Sequence, residues 1–171
     1  MMFTDAFAYV VGEEGKLSMD PEDSGNWTGG KIGLGVLKGT KYGVSAAAYP
    51  SLDIANLTLA DAQAIAKRDY WDRITGDNIP YGTALSLFDF GYNAGVGEAV
   101  RVAQRALGLT VDGVIGPMTK IRLVNEPVPV FAQAFRDARI AAYKLMPGWA
   151  HDGDGWTARA NLTCQKAMGL A

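Results

Sequence analysis

The sequence predicts a mainly α-helical, α+β fold in which a helical domain carries one small, glycine-rich β-hairpin lobe beside a cleft. Apolar residues recur at helical spacing through most of the chain. Residues 27–45 instead carry six glycines among alternating apolar and small residues, a pattern typical of a hairpin or a small irregular sheet. A chain of 171 residues, 49% of them apolar, is long enough for one cored domain over 1–171.

Helix start and stop signals mark several predicted helices. Thr58-x-x-Asp61 resembles a capping box with Asp in place of the usual Glu. Pro147 and Gly148 are expected to end a long helix, and residues 151–156 (HDGDGW) are then predicted to form a polar turn. The pattern predicts helices over 4–14, 58–74, 81–93, 98–107, 130–146 and 156–168, and a further helix that begins at Pro117.

The segment TDAFAYVVGEEGKLSMDPEDSGNWT, residues 4–28, carries the strongest candidates for chemistry. Glu14 follows Phe7 and Val10 at helical spacing, which would place this carboxylate on an apolar stripe. Burial there would raise its pKa toward the range of a general acid. Asp23 and Thr28 follow in an irregular, polar stretch. From the residues alone, a solvated Glu is favoured over a catalytic one, and a turn Asp and an ordinary strand Thr remain open interpretations.

The run EGKLSMDPEDSGNWT resembles the signature E-G-G-(aromatic)-x-x-D-P-x-D-x-G-G-x-T of the glycoside hydrolase family 108 N-acetylmuramidases of phages and bacteria. Lys16 and Asn26 depart from the signature, and the stretch 29–39 is longer than in the plainest members. The resemblance implies a lysozyme-like fold and cleavage of the β-1,4 bond between N-acetylmuramic acid and N-acetylglucosamine. Glu14 would be the general acid, Asp23 its catalytic partner, and Thr28 a holder of the attacking water. It also implies an inverting reaction with neither cofactor nor metal.

Four aromatic and polar residues are the candidates for substrate binding. Tyr42 lies in the matched stretch GTKYGVS, and Trp71 lies in DYWD, where an aromatic ring beside acids is either a sugar platform or core. Tyr92 and Asn93 stand at the glycine-marked end of the helix predicted over 81–93, where polar groups can bind acetamido sugars. A helix-capping role for Asn93 is an equal alternative.

The resemblance also divides the chain into a catalytic half, 1–95, and a helical half, 96–171, that is similar to peptidoglycan-binding repeats. The similarity rests on GLTVDGVIGPMT, residues 108–119. Asp-Gly and Gly-Pro pairs are also good turn chemistry, so a structural turn is favoured over ligand contact. The single histidine, His151, has neither a Cys nor a second His nearby, which argues against a metal site.

Composition limits partners and location. The net charge of −2 does not favour nucleic acid, and the single cysteine, Cys164, cannot form an intrachain disulfide. Neither a signal peptide nor a transmembrane segment is expected. The expected partner is the glycan strand of peptidoglycan, met by a monomer that is not inserted in a membrane. The resemblance implies host cytoplasm first, and then the cell wall after holin-dependent release.

Two other functions fit parts of the sequence. A lytic transglycosylase also uses one Glu, but it needs no water and leaves a 1,6-anhydro sugar; the ordered Asp23 and Thr28 argue against it. A non-catalytic, wall-binding or secretion-assisting module would fit the stretch 108–119. Such a module would have no need for Glu14, Asp23 and Thr28 together.

Overall fold

The protein is mainly helical with a two-stranded antiparallel sheet, which confirms the predicted fold class. The computed structural model describes residues 2–12 and 16–170. Within that part of the chain, no helix is long and apolar enough to cross a membrane. The elements are α1 (Met2–Val11), β1 (Thr40–Lys41), β2 (Val44–Ser45), α2 (Leu59–Ala66), α3 (Tyr81–Ala94), α4 (Val96–Ala106), α5 (Pro117–Asn125), α6 (Val128–Tyr143) and α7 (Trp149–Met168).

The chain divides into two compact units, a loop unit of residues 7–66 and a helical unit of residues 1–6 and 67–171. In the helical unit, α3 is buried at ten consecutive positions, residues 82–91, because α4, α6 and α7 all pack on it. Gly82 permits the closest of these contacts, since a Cβ there would lie 2.5 Å from the Ala167 carbonyl oxygen and from Val128. The small residue therefore lets α6 and α7 reach the α3 backbone.

A buried ion-pair network crosses the centre of the helical unit. Asp89 on α3 is fully buried and accepts hydrogen bonds from Arg139 on α6 (2.6 Å) and from Nε and Nη2 of Arg159 on α7 (2.9 and 2.7 Å). Thr163 donates to the same carboxylate over 3.2 Å, and Arg139 also donates to the Tyr143 hydroxyl over 2.8 Å. These bonds offset the cost of burying the carboxylate and tie three helices to one side chain.

The stretch 108–119 is a turn organised by a buried glutamine of α4. The Gln104 side-chain amide donates to Asp112, to the Val114 carbonyl and to Thr119, over 2.7, 3.0 and 3.2 Å. Its carbonyl oxygen accepts the backbone N–H groups of Asp112 and Gly113. These bonds account structurally for the Asp-Gly pair and for Thr119, as the favoured turn interpretation expects. The division into halves 1–95 and 96–171 remains a prediction.

The loop unit is held by Asn26, which is fully buried although it replaces a glycine of the signature. Its side-chain amide donates to the Asp20 backbone carbonyl over 2.9 Å, while the Asn26 backbone carbonyl accepts the backbone N–H groups of Lys38 and Gly39. Asn26 thus joins the acidic loop to the strand region. In the small sheet Thr40 pairs with Ser45 and Lys41 with Val44, and isolated bridges join Ser18 to Thr40 and Trp27 to Leu37.

Several helix boundaries differ from those predicted, and two of the differences concern segments that carry candidate residues. Helix α1 ends at Val11, and Gly12 follows it with a φ of +68°. Residues 151–156 are not a turn but part of α7, which begins at Trp149. Gly153 helps to explain why this segment is helical. A Cβ at this position would lie about 3 Å from the Trp149 ring, so the glycine lets the indole lie against the helix.

Candidate functional site

Asp23 lies in the loop unit, at the start of a short 3₁₀ helix, Ser24–Asn26. Its backbone is extended, and its Oδ1 accepts the Gly25 N–H over 2.8 Å. This is the local turn bond that the simpler interpretation predicted. The residue is exposed, and its Oδ2 accepts no hydrogen bond from the described residues. The loop therefore fixes one carboxylate oxygen and leaves the other for solvent or a ligand.

Thr28 is held by a backbone loop that returns at Val36. The Thr28 N–H donates to the Val36 carbonyl over 3.0 Å, and the Thr28 hydroxyl oxygen accepts the Val36 N–H over 2.8 Å. Gly35, with a φ of +84°, makes room for the hydroxyl, since a Cβ there would lie 2.3 Å from the Thr28 oxygen. A hydroxyl offers one donor and two acceptor lone pairs, so its O–H and one lone pair remain to hold a water.

Tyr42 occupies the two-residue turn between β1 and β2. Tyr42 and Gly43 both have positive φ, 52° and 77°, as a type I′ hairpin turn requires. Glycine adopts this conformation readily, whereas a tyrosine in it is strained. Strain of this kind is concentrated at functional sites, which supports keeping Tyr42 as a candidate. The Lys41 ammonium lies 5.6 Å from its ring centre.

Glu14 lies outside the described residues, together with Glu13 and Gly15. The assignment of Glu14 as the acid is a prediction from the sequence.

Trp71 is in the helical unit and has no exposed surface, so its ring is not available to stack on a sugar. Its indole N–H donates to Asp77 over 2.8 Å, and the hydrogen bond from the Lys67 ammonium, followed by this one from Trp71, lowers the pKa of Asp77. A π-helical turn, Lys67–Trp71, explains why Trp71 is buried rather than exposed to a substrate. Such a turn inserts an extra residue, so Trp71 is buried where regular α-helical spacing predicts Asp69 or Tyr70.

Tyr70 is the aromatic residue of DYWD that keeps exposed surface, and the sequence reasoning passed over it. Its ring meets that of Tyr92 edge to face at 4.8 Å, and Tyr92 also packs on Phe88 at 5.6 Å. Burial raises the pKa of the Tyr92 phenol, which therefore stays protonated as a donor. Asn93 is exposed at the end of α3, and its amide donates to the Asp89 carbonyl one turn earlier over 2.6 Å.

The predicted site residues fall into two groups. Asp23, Thr28 and Tyr42 belong to the loop unit, and Asp23 and Thr28 lie in one continuous loop that Asn26 holds in place. Trp71, Tyr92 and Asn93 belong to the helical unit. His151 is exposed on α7, where its ring contacts Asp152.

Comparison with known proteins identifies the class to which the chain belongs. The family model of glycosyl hydrolase 108 matches residues 7–95, which include Glu14, Asp23 and Thr28. Among solved structures, nine chains match. Brucella abortus SagA is similar with a TM-score of 0.83 and 27% identity, over 98% of this chain and 94% of that one. No curated protein matches the chain.

The family match covers more than half of the 171 residues, and the chain belongs to glycosyl hydrolase family 108. It is thus a member of a family of glycoside hydrolases with a glycan as substrate. The match ends at residue 95 and does not extend to the predicted peptidoglycan-binding-like half.

Proposed function

We propose that the protein is an N-acetylmuramidase, which cleaves the β-1,4 bond between N-acetylmuramic acid and N-acetylglucosamine in peptidoglycan. The observation that carries this proposal is the family match over the segment that contains Glu14, Asp23 and Thr28. The geometry of the loop adds support. Asp23 Oδ2 and the Thr28 O–H lie in one ordered loop, and both are left to form hydrogen bonds with a water.

In this mechanism Glu14 is the general acid and protonates the glycosidic oxygen as the bond to the sugar breaks. Asp23 takes a proton from a water, and that water attacks the anomeric carbon on the opposite face. Thr28 holds the water through its remaining O–H and lone pair. The new bond forms between the water oxygen and the anomeric carbon, so the sugar leaves with inverted configuration.

Inversion requires room for a water between the two carboxyl groups. We expect them to lie roughly 6.5–9.5 Å apart, whereas about 5 Å would fit a retaining enzyme with Asp23 as nucleophile. Measuring the anomer released first, by NMR during the initial turnover, separates the two mechanisms.

Sugar binding is assigned to Tyr42 in the loop unit and to Tyr92 and Asn93 in the helical unit; Trp71 is left out because it is buried. The enzyme would act as a monomer on glycan strands, without cofactor or metal. Release to the wall through a holin lesion, and host lysis as the outcome, remain proposals from the family resemblance.

The test is mass spectrometry of soluble fragments from purified sacculi. Reducing N-acetylmuramic acid ends are expected from the wild type. Ends lighter by one water, which are 1,6-anhydro sugars, would instead identify a lytic transglycosylase. Binding to sacculi without any fragment would overturn the enzymatic assignment and favour a wall-binding module.

A further inference from the structure

The loop unit contains a second feature, an open cavity of about 520 Å³ that none of the assigned residues lines. Ligand-binding pockets in proteins have volumes of about 300–1,000 Å³. The cavity lies between the segment 17–19, the segment 37–38 that leads into β1, and the loop of residues 51–55. Its lining residues are Leu17, Met19, Leu37, Lys38, Ser51, Leu52, Asp53, Ile54 and Ala55.

The cavity is built by backbone contacts rather than left by loose packing. Gly39, with a φ of +83°, lets the segment 17–19 approach its backbone closely, since a Cβ at Gly39 would lie 2.4 Å from the Ser18 carbonyl oxygen. Two lysines fix the facing loop. Lys38 donates to the carbonyls of Pro50 (2.7 Å) and Leu52 (3.4 Å), and Lys41 donates to that of Ala55 (2.9 Å).

The lining is poorly suited to a sugar ring. Six of the nine lining residues are apolar, and Leu17 and Met19 remain 37% and 44% exposed. The Asp53 carboxylate is already hydrogen-bonded within the loop, because both of its oxygens accept hydrogen bonds from Asn56. A sugar presents a hydroxyl on nearly every carbon, and hydroxyls that face the six apolar side chains would lose water partners without gaining protein ones. Small apolar groups fit this surface better.

Lys38 adds a positive charge to this apolar surface. An ammonium has three N–H donors, and the two backbone carbonyls accept two of them. The Lys38 charge also helps to lower the pKa of Asp53 on the same lining, after the hydrogen bonds from Asn56, so the two side chains partly balance each other and the Lys38 contribution to a ligand is its remaining N–H donor. A carboxylate carried by small apolar residues can accept that N–H while its alkyl groups lie on the apolar lining.

We propose that this cavity binds the stem peptide of peptidoglycan, a short chain of alanine-like residues and free carboxylates attached to the muramic acid. The inference rests on the proposed function, because it takes the same polymer as ligand. The apolar lining would receive the alanine methyl groups, and Lys38 would pair with a peptide carboxylate. The enzyme would then favour glycan strands that still carry their peptides.

The test measures binding of a soluble stem pentapeptide by calorimetry or NMR titration. The pentapeptide contains no glycosidic bond, so its binding is measured whether or not the protein cleaves glycan. Lys38→Met is expected to weaken binding about tenfold, because it removes one charge-assisted hydrogen bond. The same loss is expected when the wild type binds the pentapeptide with amidated carboxylates.

Lys41→Met is the matched control, since it removes an ammonium–carbonyl bond to the same loop from a residue that does not line the cavity. Its affinity should stay close to that of the wild type. Met19→Glu, compared with Met19→Gln, tests the same idea without disturbing the loop, and only the acidic variant should weaken binding.

Equal binding of the free and the amidated peptide would overturn the proposal, and so would unchanged binding by Lys38→Met and Met19→Glu. Displacement of the pentapeptide by inorganic phosphate at comparable concentration would also overturn it, because the cavity would then be a general anion site. If sacculi are not cleaved but the pentapeptide binds as expected, the muramidase assignment fails and the cavity assignment stands.

Discussion

Replacement of Asp89 by Asn should destabilise the helical unit severely. The substitution keeps the shape of the side chain and removes the charge that pairs with Arg139 and Arg159. Arg139 is 1% exposed, and its Nη2 already lacks a hydrogen-bond partner, so its charge would be left buried without compensation. Removing one partner of a buried pair typically costs about 3–5 kcal/mol. Arg159 is 39% exposed and contributes less, since water can take the place of the carboxylate.

Urea unfolding followed by circular dichroism measures this loss of free energy of unfolding. In a chain of this size it corresponds to a fall in melting temperature of roughly 6–20 °C. Glu98→Gln is the control, because its pairs with Arg101 and Arg105 lie at the surface and should cost less than about 1 kcal/mol. A loss for Asp89→Asn no larger than that of Glu98→Gln would refute the reasoning. The double variant Asp89→Asn/Arg139→Met should lose less than the sum of the single variants.

Three further outcomes follow from particular contacts. Gln104→Ala should speed hydrogen exchange at the Asp112 amide, because the buried acceptor of that N–H is removed. Thr28→Val should lower glycan cleavage while Thr28→Ser retains most of it, because only the serine keeps the hydroxyl that accepts the Val36 N–H. Hydrogen bonds from Thr58 hold the pKa of Asp61 below its ordinary value, and the same direction applies to Asp77. Their stabilising contribution is therefore present above about pH 4 and lost as the pH falls through the lowered folded pKa values.

Each of these three predictions has a result that would contradict it. Unchanged exchange at the Asp112 amide would show that Gln104 does not hold the turn. Equal activities of the valine and serine variants would remove the Thr28 hydroxyl from the mechanism. For the carboxylates, a urea midpoint that stays constant from pH 6 to pH 3 would contradict the sign of the linkage.

Local signals were enough to predict much of the fold. The capping box at Thr58 forms as expected: the Asp61 N–H donates to the Thr58 hydroxyl and the Thr58 N–H donates to the Asp61 carboxylate, both over 3.1 Å. The apolar run of 81–93 predicts α3 closely, because a helix that is apolar on all sides must be buried. The glycine-rich stretch 27–45 forms the expected small sheet with isolated bridges.

Long-range contacts and irregular turns were beyond the sequence pattern. Arg139 and Arg159 lie 50 and 70 residues from Asp89, and nothing in local spacing indicates that they meet. Trp71 was a candidate because an aromatic ring beside acids fits either a sugar platform or core, and regular helical spacing cannot anticipate the π-helical turn that contains it. Asn26 was noted only as a departure from a motif, although its burial and backbone contacts make it the centre of the loop.

The rate of glycan cleavage by Glu14→Gln, compared with that of Glu13→Gln, is the most direct test of the proposed muramidase mechanism. Both variants remove one carboxylate from neighbouring positions and leave the net charge equal. We expect Glu14→Gln to retain no more than about 1% of wild-type turnover, because general acid catalysis contributes about 10²–10⁴-fold. The turnover of Glu13→Gln should stay near that of the wild type. Turnover by Glu14→Gln equal to that of the wild type, with a folded protein shown by circular dichroism, would contradict the assignment of Glu14 as the acid.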